Sequence, residues 1–135
     1  MYDKKTINFY DKNVAKYSDW SKSNSSFKLE SKLLSLIHEA NSIIDIGCGA
    51  GHSSIWFSEK VGSVTALDPS SKMIKRLKTF PKLKAVAGSI LSLKMKNEFD
   101  GAWASFSLQH LMKEDQKKAY AVIYEILKEK GIFYL

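Results

Sequence analysis

The stretch with the clearest chemical potential is Ile43-Ile44-Asp45-Ile46-Gly47-Cys48-Gly49-Ala50-Gly51. An apolar run enters three alternating glycines, and a helical pattern opens after them. Glycines at this spacing permit a tight turn and a close backbone approach to a ligand. A helix that follows offers free N–H groups and a partial positive charge to an anionic group. A second acid, Asp68, ends the next apolar run, 17 residues after Gly51. In a doubly wound sheet the second strand lies beside the first. A carboxylate at its tip can accept hydrogen bonds from both hydroxyls of a ribose. Together these residues point to a nucleoside-containing ligand.

The glycine spacing narrows the choice. A dinucleotide fingerprint reads G-x-G-x-x-G, whereas here the pattern is G-x-G-x-G and His52 stands where the third dinucleotide glycine would be. Asp45 lies two residues before the first glycine. A carboxylate there would repel a pyrophosphate. It suits S-adenosylmethionine, which carries an ammonium and a sulfonium. A nicotinamide-dependent enzyme is the weaker alternative.

Residues 45–51 resemble the D/E-x-G-x-G-x-G motif of class I S-adenosylmethionine-dependent methyltransferases. Leu67-Asp68-Pro69-Ser70-Ser71-Lys72-Met73 is similar to the family's second motif, and Ala87-Gly88-Ser89-Ile90-Leu91 to its third. Residues 99–111 resemble the fourth-strand motif of the small-molecule enzymes, and Leu127-Lys128-Glu129-Lys130-Gly131 the L-K-P-G-G turn into the fifth strand. The resemblance covers roughly residues 42–135, with the motifs in family order. It implies a cofactor-binding set of Asp45, Gly47, Cys48, Gly49, Gly51, Asp68, Pro69, Met73, Ser89, Ile90 and Ser105, joined by Tyr10 and Tyr17 from an aromatic N-terminal segment. Asp68 is expected on the ribose. Met73 and Ile90 are expected on the adenine, with ordinary core packing as the alternative. Cys48 is read as a small buried loop residue, not a nucleophile. Tyr17 and Tyr10 are expected to close over the methionine end, or else to pack on the sheet. His110 follows the fourth strand; its pKa range suits a general base, and the alternative is a structural histidine under the loop. Gln109 is read as a polar group of the pocket, with a structural role as the alternative.

The sequence departs from the family's pattern in several places. Ser89 stands where many relatives carry an acid for the adenine amino group, which implies weaker adenine recognition. Lys130 replaces the first glycine of the turn. The family sheet has seven strands and closes with an antiparallel hairpin; the sequence reaches only the fifth. An apolar Ile132-Phe133-Tyr134-Leu135 edge is expected to seek a partner: a second copy, another chain, the N-terminal segment or a continuation of the protein.

The elements that must position these residues read as an alternation. Helices are expected near residues 7–17 and 27–40, the second with Phe27, Leu33, Leu34 and Ile37 on one face. Strands at 42–46, 63–67, 84–87, 99–105 and 132–135 alternate with helices at 52–60, 70–79 and 114–129. The last helix is the clearest, with Ala119, Val122, Ile123, Ile126 and Leu127 on one stripe. Gly131 is expected to stop it. This alternation specifies an α/β class: a doubly wound parallel sheet with helices on both faces, lacking the hairpin. The domain reading is one unit over 1–135, with 1–26 as a cap segment and 27–135 as the core.

Composition limits the remaining possibilities. The 135 residues suffice for one core. No apolar run reaches the roughly 20 residues of a membrane span, and the first residues do not read as a secretory signal, so a cytoplasmic location is the expectation. One cysteine excludes an intramolecular disulfide, and no metal cluster is read. The formal charge is +7, and residues 69–97 hold eight bases and no acid. The preferred reading of that segment is a solvated face, because only one of the 21 bases is Arg and readers of bases and phosphates rely on Arg forks. Nucleic acid is therefore an unlikely partner. The Asn/Asp-Pro-Pro-aromatic loop of nucleic-acid amino methyltransferases is also absent: Ser105-Phe106-Ser107-Leu108 stands in its place. The expected function is methyl transfer from S-adenosylmethionine to a small-molecule acceptor, leaving S-adenosylhomocysteine. The alternative is a non-catalytic cofactor-binding module that dimerises or complements another subunit.

Overall fold

The computed structural model describes residues 4–13 and 26–135. The expected contribution of Tyr17 falls outside them. Helix α1 (Lys4–Lys12) is followed by α2 (Lys28–Leu36), then β1 (Ser42–Ile46), α3 (His52–Ser58), β2 (Ser63–Asp68), α4 (Ser71–Lys75), β3 (Leu83–Ala87), β4 (Phe99–Trp103), α5 (Lys113–Ile126) and β5 (Leu127–Tyr134). Single 3₁₀ turns at Ile90–Ser92 and Leu108–His110 flank β4. The five strands form one sheet in the order β3-β2-β1-β4-β5, and every pairing is parallel.

The pleat of β1 explains the two layers. Successive side chains of a strand face opposite ways. Ile43 packs with Leu33 of α2 and Phe57 of α3. Ile44 and Ile46 pack on the other face with Ala119, Ile123 and Ile126 of α5. The α5 stripe expected from its spacing is thus the stripe that covers the sheet. Asp45 shares the parity of Ile43 and therefore points toward α3. At the opposite end of the sheet, the Asp100 carboxylate accepts from the Asn41 and Ser42 amides at 3.0 and 2.9 Å. Lys128 reaches the same carboxylate at 3.2 Å. This one side chain joins the entry to β1, β4 and β5.

The last helix and strand divide differently from the expectation. Helix α5 ends at Ile126, and Gly131 lies within β5 rather than after the helix. Leu127 is extended (φ −77°, ψ 140°) and pairs with Phe99. The register then shifts, so that Gly101 pairs with Ile132. The five-residue turn motif is absorbed as an irregularity in the strand, and Lys130 carries its cost at φ 65°. That is the left-handed region, where a side chain costs roughly 1–2 kcal/mol per residue and where the turn motif that this stretch resembles has glycine. Two other helices are shorter than expected: α2 ends at Leu36 because Ile37 turns extended (ψ 127°), and α4 ends at Lys75, short of residue 79.

Candidate functional site

The strand order reverses between β1 and β4, the place where open α/β sheets leave a cleft at their C-terminal ends. The chain leaving β1 enters the glycine turn, and Gly47, Gly49 and Gly51 have φ of 71°, 55° and 84°. Two of the three are also fixed by close packing. A Cβ on Gly47 would fall 2.2 Å from the Ser107 Cβ, and one on Gly51 would fall 2.4 Å from Leu77. The Ser107 hydroxyl donates to the Ile46 carbonyl at 2.7 Å. The loop after β4 is thereby pinned against the end of β1.

Asp68 is held across the tips of β1 and β2. Gly49 N–H donates to its Oδ2 at 2.9 Å, and Ser70 N–H donates to its Oδ1 at 2.8 Å. Each carboxylate oxygen keeps acceptor capacity beyond these bonds. Burial pushes the carboxyl above its ordinary pKa; the two N–H groups pull it back, and nearby Asp11 adds a smaller upward push. Ser70 does more than hold Asp68. Its hydroxyl caps α4 by accepting from Met73 N–H at 3.3 Å and donates to the Asp11 carboxylate of α1. Helix α1 is thereby tied over the cleft.

The result is a cleft at the C-terminal ends of the strands, where open α/β sheets bind their ligands. Gly47, Gly49, Asp68, Pro69 and Met73 line one part of it, and Tyr10, Ser105 and His110 another. These eight sequence-derived candidates are brought together. Gln109 and five others do not line the cavity. Asp45 is buried beneath the glycine turn, where Ser54 Oγ donates to it at 2.6 Å. Burial is the main cause that raises its pKa to about 7. Gly51 caps α3. Cys48 packs near Ala66, Leu77 and Leu83, and burial, then Asp45 and Asp68, push its thiol well above the ordinary value; a thiol so held is a poor nucleophile. Ser89 Oγ caps a 3₁₀ turn by accepting from Leu91 N–H at 3.2 Å. Ile90 is fully buried in the α5 layer.

Thr6, Ile7, Ser70, Phe106 and Ser107 also line the cavity and were not among the sequence candidates. Ser70 stands in the second motif, but its contacts with Asp68 and Asp11 depend on tertiary structure. Phe106 follows β4 inside a recognised motif, with nothing in its residue type to set it apart. Tyr10 and His110 meet edge to face, with ring centres 6.1 Å apart. Among the described residues, no group of three or more His, Cys, Asp or Glu side chains could hold a metal ion.

Residues 43–131 match a family model described as a methyltransferase domain. The chain belongs to that family. It is 29% identical over 100 residues to the uncharacterized methyltransferase YcgJ of Bacillus subtilis, an alignment covering 69% of this chain and 39% of that protein. The chain thus spans well under half the length of this curated relative. Among solved structures, the DhpI complex with S-adenosylhomocysteine superposes with a TM-score of 0.78 at 16% identity, covering 94% of this chain and 65% of that one. The N-methyltransferase NodS from Bradyrhizobium japonicum, also bound to S-adenosylhomocysteine, gives 0.73 at 21% identity, covering 90% and 67%. The methyltransferase domain therefore has the Rossmann-like class I fold that its motifs implied. No helix among the described residues is long and apolar enough to cross a membrane.

Proposed function

We propose that this domain binds S-adenosylmethionine in the cavity between Gly47 and Asp68 and transfers its methyl group to a small-molecule acceptor. The observation that carries the reading is the Asp68 carboxylate, fixed by Gly49 and Ser70 N–H groups at the wall of the cleft beside the glycine turn. That donor set fits the ligand. A carboxylate with free lone pairs matches vicinal ribose hydroxyls, while the left-handed turn at Gly49 brings bare backbone to the cavity wall. The bound forms of DhpI and NodS support the same ligand class.

S-adenosylmethionine, when bound, supplies a methyl group on a sulfonium, an electrophile that needs no further activation by the protein. The chain's own work is positioning and water exclusion. Asp68 accepts from the ribose. Met73, buried and on the cavity wall, offers an apolar surface to the adenine. Tyr10, with Thr6 and Ile7 of α1, borders the opening; the domain is taken as one unit with 1–26 as the cap segment and 27–135 as the core. His110, which also lines the cavity, is the candidate base for an acceptor hydroxyl, thiol or acidic carbon. Asp45 acts from below, orienting the glycine turn through Ser54.

Incubation with methyl-labelled S-adenosylmethionine and a panel of alcohols, thiols and amines tests the reading. Label transfer to one acceptor class is the expected result. Binding without transfer to any of them would support the non-catalytic module instead. A thermal shift with NAD but none with S-adenosylhomocysteine would contradict the cofactor assignment.

A further inference from the structure

Helix α1 carries Ile7, Tyr10 and Asp11 at i, i+3 and i+4, the spacing that puts side chains on one helical face. Each of the three meets a different part of the domain. Ile7 packs against the apolar layer that α5 shares with the sheet. Asp11 accepts from the Ser70 hydroxyl, just after β2. Tyr10 meets the ring of His110 edge to face, in the loop after β4. In the sheet, β1 lies between β2 and β4. Two adjacent residues of one helix are thus tied to the two lips of the cleft, on either side of the strand that ends in the glycine turn.

His110 stands at the end of a single 3₁₀ turn, Leu108–His110. Leu108 is buried in the core, whereas His110 is only half-buried on the cleft wall. A half-buried side chain has more than one staggered rotamer open to it, and a directional ring contact selects among them. We infer that Tyr10 is a positioning residue for His110: docking of α1 holds the imidazole in one rotamer at the cleft wall. The inference rests on the proposed role of His110 as a base. The tie from Asp11 to Ser70 makes this setting answer to the opposite lip, where Ser70 N–H also holds Asp68. Thr6, Ile7 and Tyr10 line the same cleft, so a ligand that fills it favours the docked helix. The base is then set once the methyl donor is in place.

NMR of the histidine side chains tests this without any acceptor. Scalar couplings between Hα and Hβ report the His110 rotamer, and His110→Gln assigns its signals among the three histidines. The ligand-free native chain should show one rotamer. Tyr10→Leu should lose it, giving averaged couplings. Tyr10→Phe, which keeps the ring and removes the hydroxyl, should retain it. Asp11→Ala acts at the other lip and should cause partial averaging. Saturation with S-adenosylhomocysteine should restore the single rotamer in Asp11→Ala but not in Tyr10→Leu. The couplings of His38 and His52 should stay the same throughout. A single His110 rotamer in Tyr10→Leu overturns the proposal, as does averaging in Tyr10→Phe. Couplings untouched by Asp11→Ala overturn the link across the cleft, and changes shared by His38 and His52 show general loosening in place of positioning. If the native chain does not bind S-adenosylhomocysteine, the cofactor reading fails, and the ligand-free spectra still decide whether Tyr10 positions His110.

Discussion

Gly49 N–H donates to the Asp68 carboxylate at 2.9 Å, which joins the turn after β1 to the tip of β2. The two motifs furthest apart in chemical role, a flexible glycine turn and a charged acceptor, therefore form one rigid wall. Either motif displaced would take the other with it.

The wall depends on Gly47 approaching the loop after β4. Gly47→Ala would set a Cβ 2.2 Å from that of Ser107 at a φ of 71°. Overpacking and left-handed strain together predict a loss of about 2–4 kcal/mol. Denaturant unfolding of Gly47→Ala, Ser107→Gly and the double variant forms a cycle that checks it. The double variant should recover part of the loss, since the clash is removed and the strain is not. Strict additivity would show that the two residues do not meet.

Asp45 predicts a pH dependence of stability. Its folded pKa is raised from 3.8 to about 7, first by burial. Between those values the folded state holds a proton that the unfolded state has released. Stability from this group is therefore fully present below pH 3.8 and falls as pH rises toward about 7. Asp45→Asn cannot titrate. Urea midpoints from pH 5 to 8 should decline more for the native chain than for the variant, with the difference levelling above the folded pKa. Parallel curves would contradict the buried neutral carboxyl.

Helix α1 predicts a closing element. Asp11 accepts from Ser70, whose hydroxyl also caps α4. Asp11→Ala should weaken the docking of α1 by about 1–2 kcal/mol. Amide exchange across 4–12 should accelerate and S-adenosylhomocysteine dissociate faster, while exchange in β1 and β4 stays unchanged. Unaltered exchange in α1 would show that the contact does not hold it.

The eight bases between residues 69 and 97 are all exposed, and none forms an ion pair among the described residues. As a solvated face they should bind duplex DNA only in the non-specific range of about 10⁻⁴–10⁻⁶ M, with steep salt dependence. Nanomolar, sequence-selective binding in an electrophoretic shift assay would make nucleic acid the partner and displace the small-molecule reading.

The alternation of apolar runs made the sheet legible, because a parallel strand buried on both faces reads as a continuous apolar segment. Ile43, Ile44 and Ile46 are such a run, and each is fully buried. The glycine spacing and Asp68 marked the cavity wall for a similar reason: backbone conformation and charge leave traces in residue type. The strand parity of Asp45 did not. Its carboxylate falls on the α3 side, a consequence of register that a motif does not encode. The α5–β5 boundary was misplaced because Gly131 looked like a helix stop, while pairing of Leu127 with Phe99 ends the helix earlier. Phe106 was overlooked because its place on the cavity wall is set by the loops around it, which residue type does not encode.

Calorimetric titration of S-adenosylhomocysteine into this chain and into Asp68→Ala tests the central claim most directly. The account predicts one site per chain in the native sequence. It predicts a loss of about 1.5–3 kcal/mol in the variant, the usual cost of removing hydrogen bonds to a charged group, with the fold confirmed by an unchanged circular dichroism spectrum. A folded native chain that does not bind, or equal affinity in the two proteins, would contradict it.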